Sequence, residues 1–164
     1  MYHLAQVNIG RMLAPLDDPV MAGFVANLDR VNALADKSPG FIWRFQTEEG
    51  NATALRPYED DRILFNMSVW ASLKDFSDFV YGMEGLHRHI MKQRRHWFER
   101  FDGPYMALWW VPAGHIPTVE EAKARLESLR LHGANAYAFS LKQLFPPPDA
   151  QNETLLPIPD ECPA

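Results

Sequence analysis

His87 and Arg94 are the residues of this chain best placed for chemistry, because both interrupt an otherwise apolar helical stripe. The segment from Leu86 to Phe101 reads as a helix. At about 100° per residue, His87, Ile90, Met91, Arg94, Trp97, Phe98 and Phe101 fall within an arc of roughly 120°. His89, Lys92, Gln93, His96, Glu99 and Arg100 take the other side. Burying two cation-capable groups is costly unless partners accept their hydrogen bonds, so this face predicts a pocket as well as a core. His87 is the candidate for proton transfer, and Arg94 for holding a carboxylate or phenolate or stabilising a developing oxyanion. Their structural alternatives are a core histidine donating to a backbone carbonyl and an ion pair of Arg94 with Asp78 or Glu84.

Other chemistries find little footing. His89 and His96 stand two turns apart on the polar face without a cysteine or a His-Glu-x-x-His motif, so no metal site is expected. His115, in a Gly-His-Ile-Pro turn, reads as a loop hydrogen-bonder. The sole cysteine, Cys162, excludes an intrachain disulfide and is poorly placed for catalysis. No Gly-rich phosphate loop, nucleophile elbow or paired-carboxylate signature occurs, which disfavours nucleotide-dependent and hydrolytic reactions. The net charge of -5 argues against broad nucleic-acid binding, and the basic run Arg88 to Arg100 is interleaved with the apolar stripe. No stretch approaches the ~18 apolar residues of a membrane span, and the N-terminus lacks the pattern of a signal peptide. The expectation is a soluble cytoplasmic protein with no nucleic-acid or membrane partner.

Elements to position these residues follow from periodicity. Leu4, Gln6 and Asn8 alternate with Ala5, Val7 and Ile9 in a first strand ending near Gly10. Asp18 caps a helix with Pro19 in its first turn and Phe24, Leu28, Val31 and Ala35 along one side; Ser38-Pro39-Gly40 ends it. Phe41 to Gln46 and Ile63 to Trp70 are the second and third strands, and Ser72 caps a second helix through Phe76, Phe79 and Val80. Tyr105 to Val111 is a fourth strand, apolar on both faces and hence expected to be covered on both. Thr118 and Glu121 make a capping box for a later helix with Gly133 just past its end, and Tyr137 to Leu141 reads as a last strand.

The order β-α-β-β-α-β, with an added helix and strand, predicts an α+β ferredoxin-like domain over residues 1–145 with helices on one face of an antiparallel sheet. Residues 146–164, rich in proline, are read as a C-terminal arm lying on a neighbour through Leu155, Leu156 and Ile158. Trp43, Phe65, Trp109 and Trp110 supply more apolar surface than one helix layer covers, so a partner subunit is expected on the open face, making a homodimer.

Val69-Trp70-Ala71-Ser72, Phe76-Ser77-Asp78-Phe79-Val80 and Leu86-His87-Arg88-His89 resemble the dimeric α/β-barrel superfamily, which includes antibiotic-biosynthesis and haem-degrading monooxygenases. The run Leu108 to Thr118, with Glu120-Glu121-Ala122 and Arg125-Leu126, resembles a bacterial family of unknown function within it. By likeness to the haem-degrading members, Asn8, Phe79 and His87 would form the site, although those enzymes carry Trp where Phe79 stands. By likeness to the cofactor-independent members, Asn66 and Trp70, four apart on one strand face, would hold a polycyclic aromatic substrate. Met91, Trp97, Phe98 and Trp109 add aromatic and apolar lining.

The preferred reading is a small-molecule-binding protein acting without a cofactor as a monooxygenase or isomerase on a hydrophobic aromatic substrate. In it His87 transfers a proton, Arg94 stabilises an oxyanion, and Asn8, Asn66 and Trp70 orient the ligand. A haem-binding or haem-degrading protein and a non-catalytic carrier or structural dimer are the alternatives.

Overall fold

The alternation of Gln6 and Asn8 with Ala5, Val7 and Ile9 produces strand β1 (Tyr2–Arg11), the centre of the sheet. The structure, a computed structural model, describes residues 1–46, 57–82, 92–150 and 154–158. β1 is hydrogen-bonded on one side to β3 (Ile63–Trp70) and on the other to β4 (Met106–Pro112), both antiparallel. β2 (Phe41–Arg44) lies outside β3, giving the order β2-β3-β1-β4. All neighbours run antiparallel, so β1 and β2 point the same way with β3 between them. Helix α1 (Ala22–Asp36) crosses from β1 to β2, and α2 (Leu73–Gly82) follows β3. Two interlocked split crossovers of this kind make the ferredoxin-like α+β fold.

The caps expected from sequence are in place. The Asp18 carboxylate accepts from Val20 N at 2.9 Å, ahead of a 3-10 turn at Pro19–Met21 that feeds α1. Ser72 Oγ accepts from Asp75 N and donates to the Asp75 carboxylate at the start of α2. Thr118 Oγ1 accepts from Glu121 N and opens α3 (Val119–His132), which ends at Gly133 with φ 74°. The turn between α1 and β2 uses Gly40 at φ 72°; a Cβ there would also stand 2.2 Å from the Asp75 carboxyl carbon.

The sheet has two covered faces. On the first, Leu4, Trp70 and Leu108 pack with Ala35 of α1 and Phe76 of α2. On the second, Ala5, Val7, Phe65, Val69, Trp109 and Val111 pack with Ala122, Leu126 and Leu129 of α3. This corrects the premise for a partner subunit, because the chain's own α3 lies on the face expected to be open. Trp109 and Trp110, adjacent on β4, also turn to opposite faces: Trp109 lies under α3, while Trp110 reaches Phe145 O through its indole N–H on the other side.

Two other expectations change. Tyr137 to Leu141 pairs with β4 only at Phe139, which exchanges two backbone hydrogen bonds with Leu108 at 2.8 and 2.9 Å. The Asn135 side chain takes the Tyr137 and Ala138 amides, and Ser140 bridges to Gln143, so a turn flanks that pair on each side. The helix read through Phe101 does not reach it. Lys92 and Gln93 are helical, a 3-10 turn covers Arg94–His96, and Trp97 closes it. The chain then runs extended, with Leu13 N bonded to Trp97 O and Glu99 N to Arg11 O. Gly10 permits this, because Phe98 lies where a Cβ would stand, 2.8 Å from its Cδ1. In the arm, Ile158 N donates to Leu141 O and its side chain packs against the chain's own first-face core.

Candidate functional site

A cavity of about 200 Å³ lies on the first face, bounded by the sheet, α1 and α2. Its sheet wall is polar. Gln6 and Asn8 of β1 face the cavity and alternate with apolar residues that face α3, and in the antiparallel register Gln6 stands opposite Ser68 and Asn8 opposite Asn66. Period 2 therefore delivers four polar side chains to one patch. Val31, Asn32 and Ala35 of α1 form the helix wall.

Trp70 and Arg94 mark two ends. Trp70 sits opposite Leu4, is 1% exposed, and stacks on Phe79 of α2 with ring centroids 4.9 Å apart. Arg94 donates to Ile9 O at 3.2 Å, and its guanidinium lies 4.4 Å from the Tyr105 ring centroid and 5.3 Å from that of Phe98. Leu4 and Ile9 are five positions apart, about 17 Å at ~3.4 Å per residue. A planar guanidinium against aromatic rings is held in orientation by cation–π contact.

A second cavity of about 350 Å³ shares Arg94 and Tyr105 with the first and is otherwise lined by Arg95, Phe98, Glu99, Arg100 and Phe101. Glu99, in its wall, is paired with Arg11 at 2.9 Å and Arg62 at 3.1 Å.

Of the residues singled out from sequence, Asn8, Asn66, Trp70, Phe79 and Arg94 line the first cavity together. Phe98 belongs to the second cavity and packs edge-on to Phe24. Trp97 is a core residue, clustered with Met12, Met21 and Leu64, because the helix that would have carried it along the stripe stops before it. Trp109 is on the wrong face, fully buried under α3 with its indole bound to Glu121. His87 and Met91 lie outside the described residues. Neither cavity is lined by a histidine or cysteine among the described residues, and His87, on which the haem alternative rests, lies outside them. No group of three His, Cys, Asp or Glu side chains able to hold a metal ion occurs among the described residues. No described helix is long and apolar enough to cross a membrane.

Residues 3–155 match the family described as a domain of unknown function, DUF3291. The chain belongs to the DUF3291 family. No curated protein matches it. Among solved structures, it is similar to SnoaB, described as a cofactor-independent oxygenase from Streptomyces nogalater. That likeness has 17% identity over 71% of this chain and 97% of the other, with a TM-score of 0.46. An asparagine-to-alanine variant of SnoaB matches at 17% identity over 70% and 95%, with a TM-score of 0.45.

Sequence reasoning passed over several residues that line the cavity of this DUF3291 protein, notably Gln6, Ser68, Arg44, Tyr81 and Tyr105. Gln6 and Ser68 carried a usable signal, since each is a polar residue on a strand otherwise dominated by apolar ones. Arg44 carried none: it forks onto Asp36 at 2.7 and 3.2 Å, a pairing set by where α1 ends beside β2.

Proposed function

We propose that this DUF3291 protein binds a small, flat, hydrophobic aromatic molecule in the cavity between sheet and helices and oxygenates it without a cofactor. The supporting observation is the combination, in one cavity, of a polar sheet wall, a stacked Trp70–Phe79 end and the oriented guanidinium of Arg94. Aromatic walls select a planar apolar body, while a few fixed polar groups set its orientation. Arg94 would stabilise an enolate or phenolate oxygen as charge develops on it.

An aryl methylene made acidic by a neighbouring carbonyl suits such a site. Removal of a proton gives a carbanion whose charge rests on oxygen. The carbanion reduces dioxygen, the resulting hydroperoxide loses water, and the methylene becomes a carbonyl: CH2 plus O2 gives C=O plus H2O. His87, outside the described residues, is the proton acceptor named by the sequence. Proton return to another carbon would make the same machinery an isomerase.

Oxygen uptake with anthrone tests this reading. Formation of anthraquinone by the protein above the spontaneous rate, reduced in Arg94→Met and abolished when Val31→Trp fills the cavity, is the expected outcome. Equal rates with and without protein would remove the oxygenase reading, and retention of binding alone would leave the carrier.

A homodimer stays part of this proposal on the superfamily resemblance, now that α3 covers the sheet face first expected to be open, and a cytoplasmic location on the sequence pattern alone. Sedimentation at micromolar concentration giving twice the 18.8 kDa chain mass would support the dimer, and a single chain mass would overturn it.

A further inference from the structure

Gln6 and Ser68 are the buried polar side chains of the described core, at 4% and 7% exposure. Trp70 fixes the direction of one of their hydrogen bonds, and the orientation of the Gln6 and Asn8 amides sets the others. Trp70 Nε1, which can only donate, gives its hydrogen to Ser68 Oγ at 2.9 Å. Gln6 Nε2 donates to the same Oγ at 2.8 Å, and its amide is oriented by Asn8 Nδ2, which donates to Gln6 Oε1 at 3.1 Å. A hydroxyl has two acceptor lone pairs and one hydrogen. Both lone pairs of Ser68 are therefore occupied, and among the described residues its O–H meets no acceptor. Ser68 lines the cavity.

We propose that Ser68 is a specificity-determining hydrogen-bond donor that reads an acceptor oxygen, such as a ketone or an enolate, on the bound molecule. The inference rests on the reading of this cavity as a ligand site and adds which ligand atom the sheet wall recognises. Trp70 and Gln6 are positioning residues: by filling the lone pairs, they keep the Ser68 hydroxyl from accepting and leave it able only to donate. A ligand offering a donor at this point would leave two hydrogens facing each other. An apolar ligand would leave the buried O–H unpaired, which disfavours it. The register places Asn8 and Ser68 on the same face two positions apart, so the acceptor is read on the Gln6 row and not on the neighbouring Asn8–Asn66 row.

1-Indanone and indane, alike in shape but differing in one carbonyl, test this by calorimetric titration of the full chain. In the unmodified protein 1-indanone binds more tightly, and the ratio of the two affinities falls about tenfold in Ser68→Ala, the scale of one net hydrogen bond. Ser68→Cys, which keeps the volume but donates weakly, gives the same direction of change if the alanine variant fails to fold. Ser68→Thr restores the ratio. The carbonyl stretch of bound 1-indanone shifts to lower frequency in the unmodified protein, and that shift shrinks in the alanine or cysteine variant; a merely structural serine would not move it. A ratio and a stretch unchanged by these substitutions would overturn the inference while leaving the cavity reading intact. Binding of neither compound would overturn both.

Discussion

Trp109 Nε1 donates to Glu121 Oε1 at 3.0 Å, a hydrogen bond that ties α3 to the sheet face opposite the cavity beside the packing of Ala122, Leu126 and Leu129. The same carboxylate holds His115 Nε2 at 2.8 Å and lies 3.5 Å from Arg125. Trp109 is fully buried, so its N–H has no solvent to turn to. Glu121→Ala is expected to cost about 1–3 kcal/mol, the penalty for a buried donor left unpaired. Chemical denaturation checks it, and a change under ~0.5 kcal/mol, the level of an ordinary surface substitution, would show that this hydrogen bond does not hold α3 in place.

Acid should release the same latch. Burial pushes the Glu121 carboxyl up, but the hydrogen bonds from His115 and Trp109 and the positive charges of His115 and Arg125 bring it below its ordinary 4.5. A carboxyl lowered on folding stabilises the folded state above its unfolded pKa. That contribution is lost as pH falls from about 4.5 through the folded value. The stability difference between the unmodified protein and Glu121→Gln is therefore expected to be full at pH 6 and to shrink below about 4.5, where the charge no longer distinguishes them. A difference independent of pH between 6 and 3 would contradict this assignment.

Gly10 and Phe98 form a second coupled pair. Gly10→Ala places a Cβ 2.8 Å from Phe98 Cδ1 and 2.9 Å from Cε1, so the ring must shift. Overpacking of this kind costs about 1–3 kcal/mol. In the Phe98→Leu background the same glycine substitution is expected to cost less than half as much. A double-mutant cycle by thermal unfolding measures the coupling, and additive effects would mean that Phe98 does not rest on Gly10.

Arg94 offers a prediction for binding. Its guanidinium is held between Ile9 O and the Tyr105 and Phe98 rings, a placement lysine cannot reproduce with a point charge on a flexible stem. Arg94→Lys is expected to weaken binding of 1-hydroxy-2-naphthoate by about tenfold, or ~1.4 kcal/mol, while leaving indane affinity unchanged. Equal loss for both compounds would show that the substitution disturbs the cavity wall and not the recognition of the anion.

Much of the fold was determined by the sequence because its signals are local. Asp18 before Pro19, Ser72 before Leu73 and Thr118 before Val119 each state where a helix starts, since a side-chain oxygen must meet the first free amides. The alternation in β1 and the run Ile63–Trp70 named the central strands, and the register in which they pair sets Asn8 opposite Asn66. What the tertiary structure alone decided depends on contacts between distant residues. Glu121 reads as half of a capping box, but its carboxylate leaves the cap for Trp109, because α3 folds back onto the sheet and not outward. Phe98 and Trp97 read as one helical stripe with Arg94, yet the missing Cβ of Gly10, far away in sequence, lets the chain turn extended and separates them. Ser68 shows no chemistry in isolation. Its role as a donor follows only when Trp70 and Gln6 converge on one oxygen, a count of lone pairs that no spacing along the chain can supply.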